Sequence, residues 1–246
     1  MFSNETVADY INNHFEPAWE SVRPVPQVTI DFGNGKVVRR TLHGNVATYC
    51  CDADGRVLDV LPGIYEPKTY VSRLQELKDL HRFARQGRWG RLNGVVSEDA
   101  VKRYHTTQAE LLKAGEERAR FVMTTGNPAA IIQVEASLEL VLQPARRIQG
   151  RAAVARGELP QEIDFEAVDS ADELPHWKAL AEDTAVNETL RRRQIHEHLA
   201  EAGMVQPDDL KGWLYREVLH ADLEDPYLGL GKILFDNYPF AEEDAE

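Results

Sequence analysis

Apolar positions recur at helical spacing from the first residues. Val7, Ile11 and the His14–Phe15 pair follow Ser3, which can cap a helix over about residues 4–14, and Pro17 ends it. A short extended piece, 18–22, is broken by Pro24 and Pro26. Val28, Ile30 and Phe32 then alternate with polar residues, Gly33-Asn34-Gly35 turns the chain, and 36–42 returns as the second arm of a hairpin. A second hairpin follows: 45–51 runs in, Asp52-Ala53-Asp54-Gly55 turns, 56–61 runs out, and Gly63 closes the strand. Pro67 suits the first turn of a helix, whose apolar stripe is Tyr70, Val71, Leu74, Leu77, Leu80 and Phe83, and which stops near Gly87.

Gly87, Gly90 and Gly94 in a stretch of mixed polarity mark 87–96 as a linker between a first unit, 1–86, and a mainly helical unit, 97–240. Ser97 caps a helix reaching about Met123, and Asn127-Pro128 is a cap with a first-position proline. The next segment fits two periods: Val134, Ala136, Leu138, Leu140 and Leu142 alternate as in a strand, while Ile131, Val134, Leu138 and Val141 fit a helix, which the cap favours. Residues 156–175 are acidic, carry Pro160 and Pro175, and read as loop. Trp177 to Ala202 reads as one or two helices ended by Gly203; Pro207 opens another that runs to His220, and Asp225-Pro226 has the form of a further helix start. The last residues, 241–246, form an acidic disordered tail. The predicted fold class is α+β.

The block GNVATYCCDADGRVLDVLPGIYEPKTYVSRLQEL resembles the last third of the thioredoxin-like superfamily, in which a buried strand, an Asp-x-x-Gly turn, a second strand, a glycine and a final amphipathic helix follow one another. The stretch FSNETVADYINNHFEPAW is similar to the end of that family's first helix running into its next strand. The resemblance covers 1–86 and implies an incomplete thioredoxin-like α/β domain. The family's Cys-x-x-C lies upstream of the position matching Phe2, so the dithiol is missing here. The family's cis-proline position aligns with Val46, where a trans bond is expected. The hairpin over 27–43 lies where the family has a helix. Without the family's central strand, either that hairpin fills in or a sheet edge stays open, and an open edge invites pairing with a protein partner or a second copy.

The net charge of −13 repels phosphate backbones and argues against nucleic acid. The one basic cluster, Arg191-Arg192-Arg193, is flanked by Glu188 and Glu197 and reads as a solvated helix turn. No apolar run is long enough for a membrane span, and no basic-then-apolar leader is seen; with Met1 as the true start, a cytoplasmic protein is expected.

Candidate chemistry is sparse. Cys50 and Cys51 are the only cysteines and the candidate catalytic residues, as a redox pair; in a central strand followed by Asp52 and Asp54 they read instead as two buried structural thiols that point to opposite faces. Asp52-Ala53-Asp54-Gly55 starts like a calcium loop, but its twelfth position is Gly63, not glutamate. His196 and His198 sit two apart, which on a helix is a solvated surface pattern. His220, Asp222 and Asp225 near a helix end are candidate metal ligands or an acid–base group. There is no Gly-x-Ser-x-Gly, no phosphate loop and no cofactor motif. The expected function is a non-catalytic interaction or scaffold protein on a degenerate thioredoxin-like fold. The alternatives are a thiol-disulfide oxidoreductase missing its Cys-x-x-C by truncation or start-site choice, and a metal-dependent hydrolase using His220, Asp222 and Asp225.

Overall fold

The computed structural model describes residues 1–24, 26–41, 46–85, 94–125 and 174–230. It is an α+β chain. The order is α1 (Glu5–His14), β1 (Gln27–Asp31), β2 (Val37–Thr41), β3 (Ala47–Cys51), β4 (Val57–Pro62), α2 (Pro67–Ala84) and α3 (Glu98–Thr125). Helix α4 (Leu174–Val186) then passes through a π-helical turn, Asn187–Arg191, into α5 (Arg192–Ala202). Helix α6 (Pro207–Trp213) likewise runs into a π-helical turn, Leu214–Val218. Among the described residues no helix is long and apolar enough to cross a membrane.

Strand β4 is the spine. All six of its residues are buried, and it pairs antiparallel with β3. The Gly63 N–H donates to the Val46 carbonyl at 2.6 Å. Alternation from that bond makes Thr48–Leu61 and Cys50–Asp59 the hydrogen-bonded pairs, so Ala47 and Tyr49 turn their backbone groups away from β4. Pro62, which has no N–H, falls opposite Ala47 where none is needed. The register then slips: Cys50 faces Asp59 but Cys51 faces Val57, leaving Leu58 as the extra residue of a β-bulge.

The bulge lets one strand feed three apolar clusters. Val57 and Val60 pack with Ile195, Leu199, Leu210 and Leu214. Leu61 joins Val7, Tyr70, Leu74 and Leu77. Leu58 meets Ala84, Val96, Ala100, Val101 and Met204. The core thus draws on residues from both sides of the 87–96 segment.

Local differences from the sequence reading have simple causes. Asn4, not Ser3, caps α1, its Oδ1 accepting the Val7 N–H at 3.1 Å. The 18–22 piece forms no strand; Val22 packs on the α5–α6 cluster, and the Arg23 guanidinium donates to the carbonyls of Leu223, Asp225 and Pro226 at 3.3, 2.5 and 2.7 Å. Asp225-Pro226 opens a turn rather than a helix. The β1–β2 hairpin forms as expected but makes its own two-stranded sheet and does not join β3–β4; Ile30, Phe32 and Val37 are exposed on it. Helix α4 starts at Leu174, inside the expected loop. The 131–142 segment, the rest of that loop and the 241–246 tail lie outside the described residues.

Candidate functional site

The polar groups gathered behind β4 form the candidate site. Asp59, His105, Arg192 and His196 are each exposed by 2% or less. Burial of this kind calls for partners, which all four residues have although Arg192 Nη1 meets none among the described residues, and the first reason for it is the backbone. The outer edge of β4 has no strand beside it among the described residues, so its amides and carbonyls need other partners. The bulged Leu58 carbonyl accepts from His105 Nε2 at 2.8 Å. The Val60 N–H donates to Asp59 Oδ1 at 2.8 Å, and the Val57 N–H donates to the Val205 carbonyl at 2.8 Å.

The rest of the network follows from two residues that face the strand from α5 one turn apart. Arg192 Nη2 lies 3.0 Å from Asp59 Oδ2 and 3.0 Å from His196 Nε2. His196 Nδ1 lies 2.8 Å from His105 Nδ1. The donor at each step is fixed by chemistry. A carbonyl only accepts, so His105 Nε2 carries a hydrogen; a guanidinium only donates, so His196 Nε2 carries none. With both rings neutral, the remaining bond must run from His196 Nδ1–H to His105 Nδ1. The chain of donation is therefore Arg192 to His196 to His105 to the Leu58 carbonyl, with the second hydrogen of Arg192 Nη2 on Asp59.

Electrostatics agree with this assignment. Burial pushes both imidazoles below the ordinary histidine range, and Arg192 pushes the same way against the opposing charge of Asp59. Burial would raise the Asp59 carboxyl, but the Arg192 guanidinium and the Val60 N–H bring it down to about 2. The Tyr104 ring packs edge-on against both imidazoles, with centroids at 5.1 and 5.7 Å. An outer layer extends the network: Glu188 on the π-helical turn bonds Arg73 of α2, and Arg73 Nη1 bonds Glu76 at 2.5 Å.

Asp59, His105 and His196 are also the only trio among the described residues whose possible metal-ligating atoms all lie within 4.8 Å of one another. The hydrogen bonds oppose a metal there. A cation on the two Nδ1 atoms would move the His196 proton to Nε2, where it would face the Arg192 N–H 3.0 Å away. It would also place a divalent charge beside a buried guanidinium with one carboxylate to balance both. The arrangement fits a neutral hydrogen-bond chain rather than a coordination site.

The sequence-predicted residues lie elsewhere. Cys50 is buried as expected, but Cys51 is exposed: as the last residue of β3 it points to the face opposite Cys50. Burial, then Asp59, pushes the Cys50 thiol up to about 12, and burial with Asp52 raises Cys51. Ellman's reagent should therefore titrate one thiol per native chain and two in guanidinium chloride, with Cys51→Ser abolishing the native signal. His220, Asp222 and Asp225 do not converge: Asp222 Oδ1 accepts the Glu224 N–H and the Asp225 carboxylate accepts the Tyr227 and Gly229 N–H groups, all as turn contacts. The solvated reading of Arg192 and His196 is corrected: both are buried in the cluster. His198, on another face of α5, stacks on Trp213 at 3.9 Å.

Comparison with protein-family models, with curated proteins and with solved structures gave no match to this chain.

Proposed function

We propose that the chain is a non-catalytic scaffold on a degenerate thioredoxin-like frame, binding an extended, basic segment of a partner protein along the outer edge of β3. The order of hairpin, glycine and amphipathic helix supports the frame. One observation carries the binding role. Strand β3 turns the backbone groups of Ala47, Tyr49 and Cys51 away from β4, and among the described residues no backbone group meets them. On the opposite edge of the same hairpin, the Val57 and Val60 N–H groups and the Leu58 carbonyl each have a partner, so the two edges differ. An extended segment added there gains main-chain hydrogen bonds. Charge selects its sign: Glu20 and Asp208, which share Lys211 between them, leave one net negative charge near Tyr49, and the chain as a whole carries −13, which disfavours a second copy and favours lysine or arginine.

The probe is an acetylated, amidated peptide of alternating valine and lysine, followed by amide hydrogen exchange on the full chain. Binding should slow exchange at Ala47, Tyr49 and Cys51. Ala47→Pro, which removes an outward N–H at the first residue of the strand without touching a ladder bond, should weaken it at least severalfold. Equal binding by a valine–glutamate peptide, protection elsewhere, or protection of the same amides in a peptide-free dimer would each overturn the basic-partner reading.

A further inference from the structure

We infer that the His105–His196 pair is an acid-sensitive latch, in which uptake of one proton breaks the Arg192–His196 bond and loosens α3 and α5 from strand β4. The inference stands on the direction of the hydrogen-bond chain and is independent of what binds β3.

Both ways of adding the proton lead to the same clash. Placed on His196 Nε2, it meets the Arg192 N–H directly, across a contact of 3.0 Å. Placed on His105 Nδ1, it reverses the 2.8 Å bond between the rings; His196 Nδ1 must then accept, and its own proton moves to Nε2, again against Arg192. His105 cannot turn away, because its Nε2–H holds the bulged Leu58 carbonyl. The pair therefore has two states, neutral and docked, or protonated and released from Arg192.

The groups facing the pair from every packed element decide which state is held at neutral pH. Strand β4 presents Asp59, whose Oδ1 is 4.0 Å from His196 Nδ1. Helix α5 presents Arg192, α3 presents the Tyr104 ring, and α2 contributes the positive charge of Arg73, itself tied to Glu188. Asp59 favours the proton; burial, Arg192 and Arg73 oppose it and prevail, so both rings sit below the ordinary imidazole value.

The sign of the pH dependence follows. Unfolded histidines titrate near ~6.5, and the folded pair titrates lower. As pH falls below that value the unfolded chain binds protons the folded chain refuses, so stability falls. Each histidine lowers the folding equilibrium constant up to about tenfold per pH unit, and the pair up to about a hundredfold. Asp59 does not contribute in this window, because its depressed pKa keeps it ionised until far lower pH. Release loosens α5 where Ile195 and Leu199 pack on Val57 and Val60, and with it α3, which packs along α5 and is tied to it by the Arg193–Glu116 ion pair.

Two measurements on the full chain test this. Imidazole nitrogen NMR at pH 7.5 should show His105 with its proton on Nε2 and His196 with its proton on Nδ1; any other pair of tautomers, or a charged ring, overturns the latch. Amide exchange at pH 7.5 and 5.5 should show protection factors in α3 and α5 falling at least tenfold more than those in α1 and α2. The double variant His105→Gln/His196→Gln should lose this differential. If it does not fold, the wild-type comparison decides alone: uniform loss across all helices, or no loss, overturns the proposal.

Discussion

Arg192→Met is expected to destabilise the chain by about 3–5 kcal/mol, the usual cost of leaving one member of a buried ion pair without its partner. Asp59 is fully buried and holds its charge against Arg192 at 3.0 Å. Removing the guanidinium strands that carboxylate and deprives His196 Nε2 of its donor in one step. Asp59 must then take up a proton to remain inside, so the variant's stability should fall as pH rises through the raised carboxyl pKa, opposite in sign to the histidine effect near pH 6. Urea unfolding at pH 5 and 8 checks both statements. The companion double variant, Arg192→Met with Asp59→Asn, should regain part of the loss: the buried charge is gone, while the Asn oxygen can still accept the Val60 N–H. A single variant no less stable than about 1 kcal/mol below wild type would mean that the interior is wetter around Asp59 than its burial implies.

The second large effect is expected at Gly63. Its φ of +75° lies in the left-handed region, where a side chain costs about 1–2 kcal/mol. An added Cβ would also sit 2.9 Å from both terminal atoms of Asn187. That amide cannot give way freely. Its Nδ2 donates to the Ile64 carbonyl at 2.7 Å and its Oδ1 accepts from Arg191 at 2.6 Å. Losing one of these bonds adds about 1 kcal/mol, so Gly63→Ala should cost about 2–3 kcal/mol in total. Thermal unfolding of Gly63→Ala beside Gly63→Ala/Asn187→Ala separates the two parts: the double variant should retain the backbone cost and show coupling between the sites.

The elements whose apolar residues alternate or recur at helical spacing were legible in the sequence. The β3–β4 hairpin, α2 with its stripe from Tyr70 to Leu80, and the proline-led start of α6 all formed as read. The polar cluster was not, although its signal was present. Arg192, Ile195, His196 and Leu199 fall on one face of α5 and are all buried, so two polar residues occupy the apolar stripe itself. Ala100, Val101 and His105 repeat this on α3. Asp59 interrupts an otherwise apolar strand, VLDVLP. Each feature alone has an ordinary surface explanation, and the charged run Arg191-Arg192-Arg193 makes solvation the natural reading. What joins them is tertiary: Asp59 and Arg192 are 133 residues apart, and local periodicity carries no information about such a pairing. The exposure of Cys51 escaped for a related reason: alternation says that the two thiols face opposite ways, but not which face the rest of the chain covers.

The span of the Asp59–Arg192 contact has a consequence for how the protein is made. Synthesis proceeds at roughly 5–20 residues per second, so with 133 residues between them the β4 carboxylate waits on the order of ten seconds before its guanidinium exists. Throughout that interval the hairpin lacks the helix that covers it, and a two-stranded hairpin alone is marginally stable in water. Its packing against α5 cannot be an early event on the ribosome. The nascent chain is most vulnerable to wrong pairing in this interval, and the final docking closes a long loop late, so arrested chains ending before α5 should be the species that proteases and folding helpers meet.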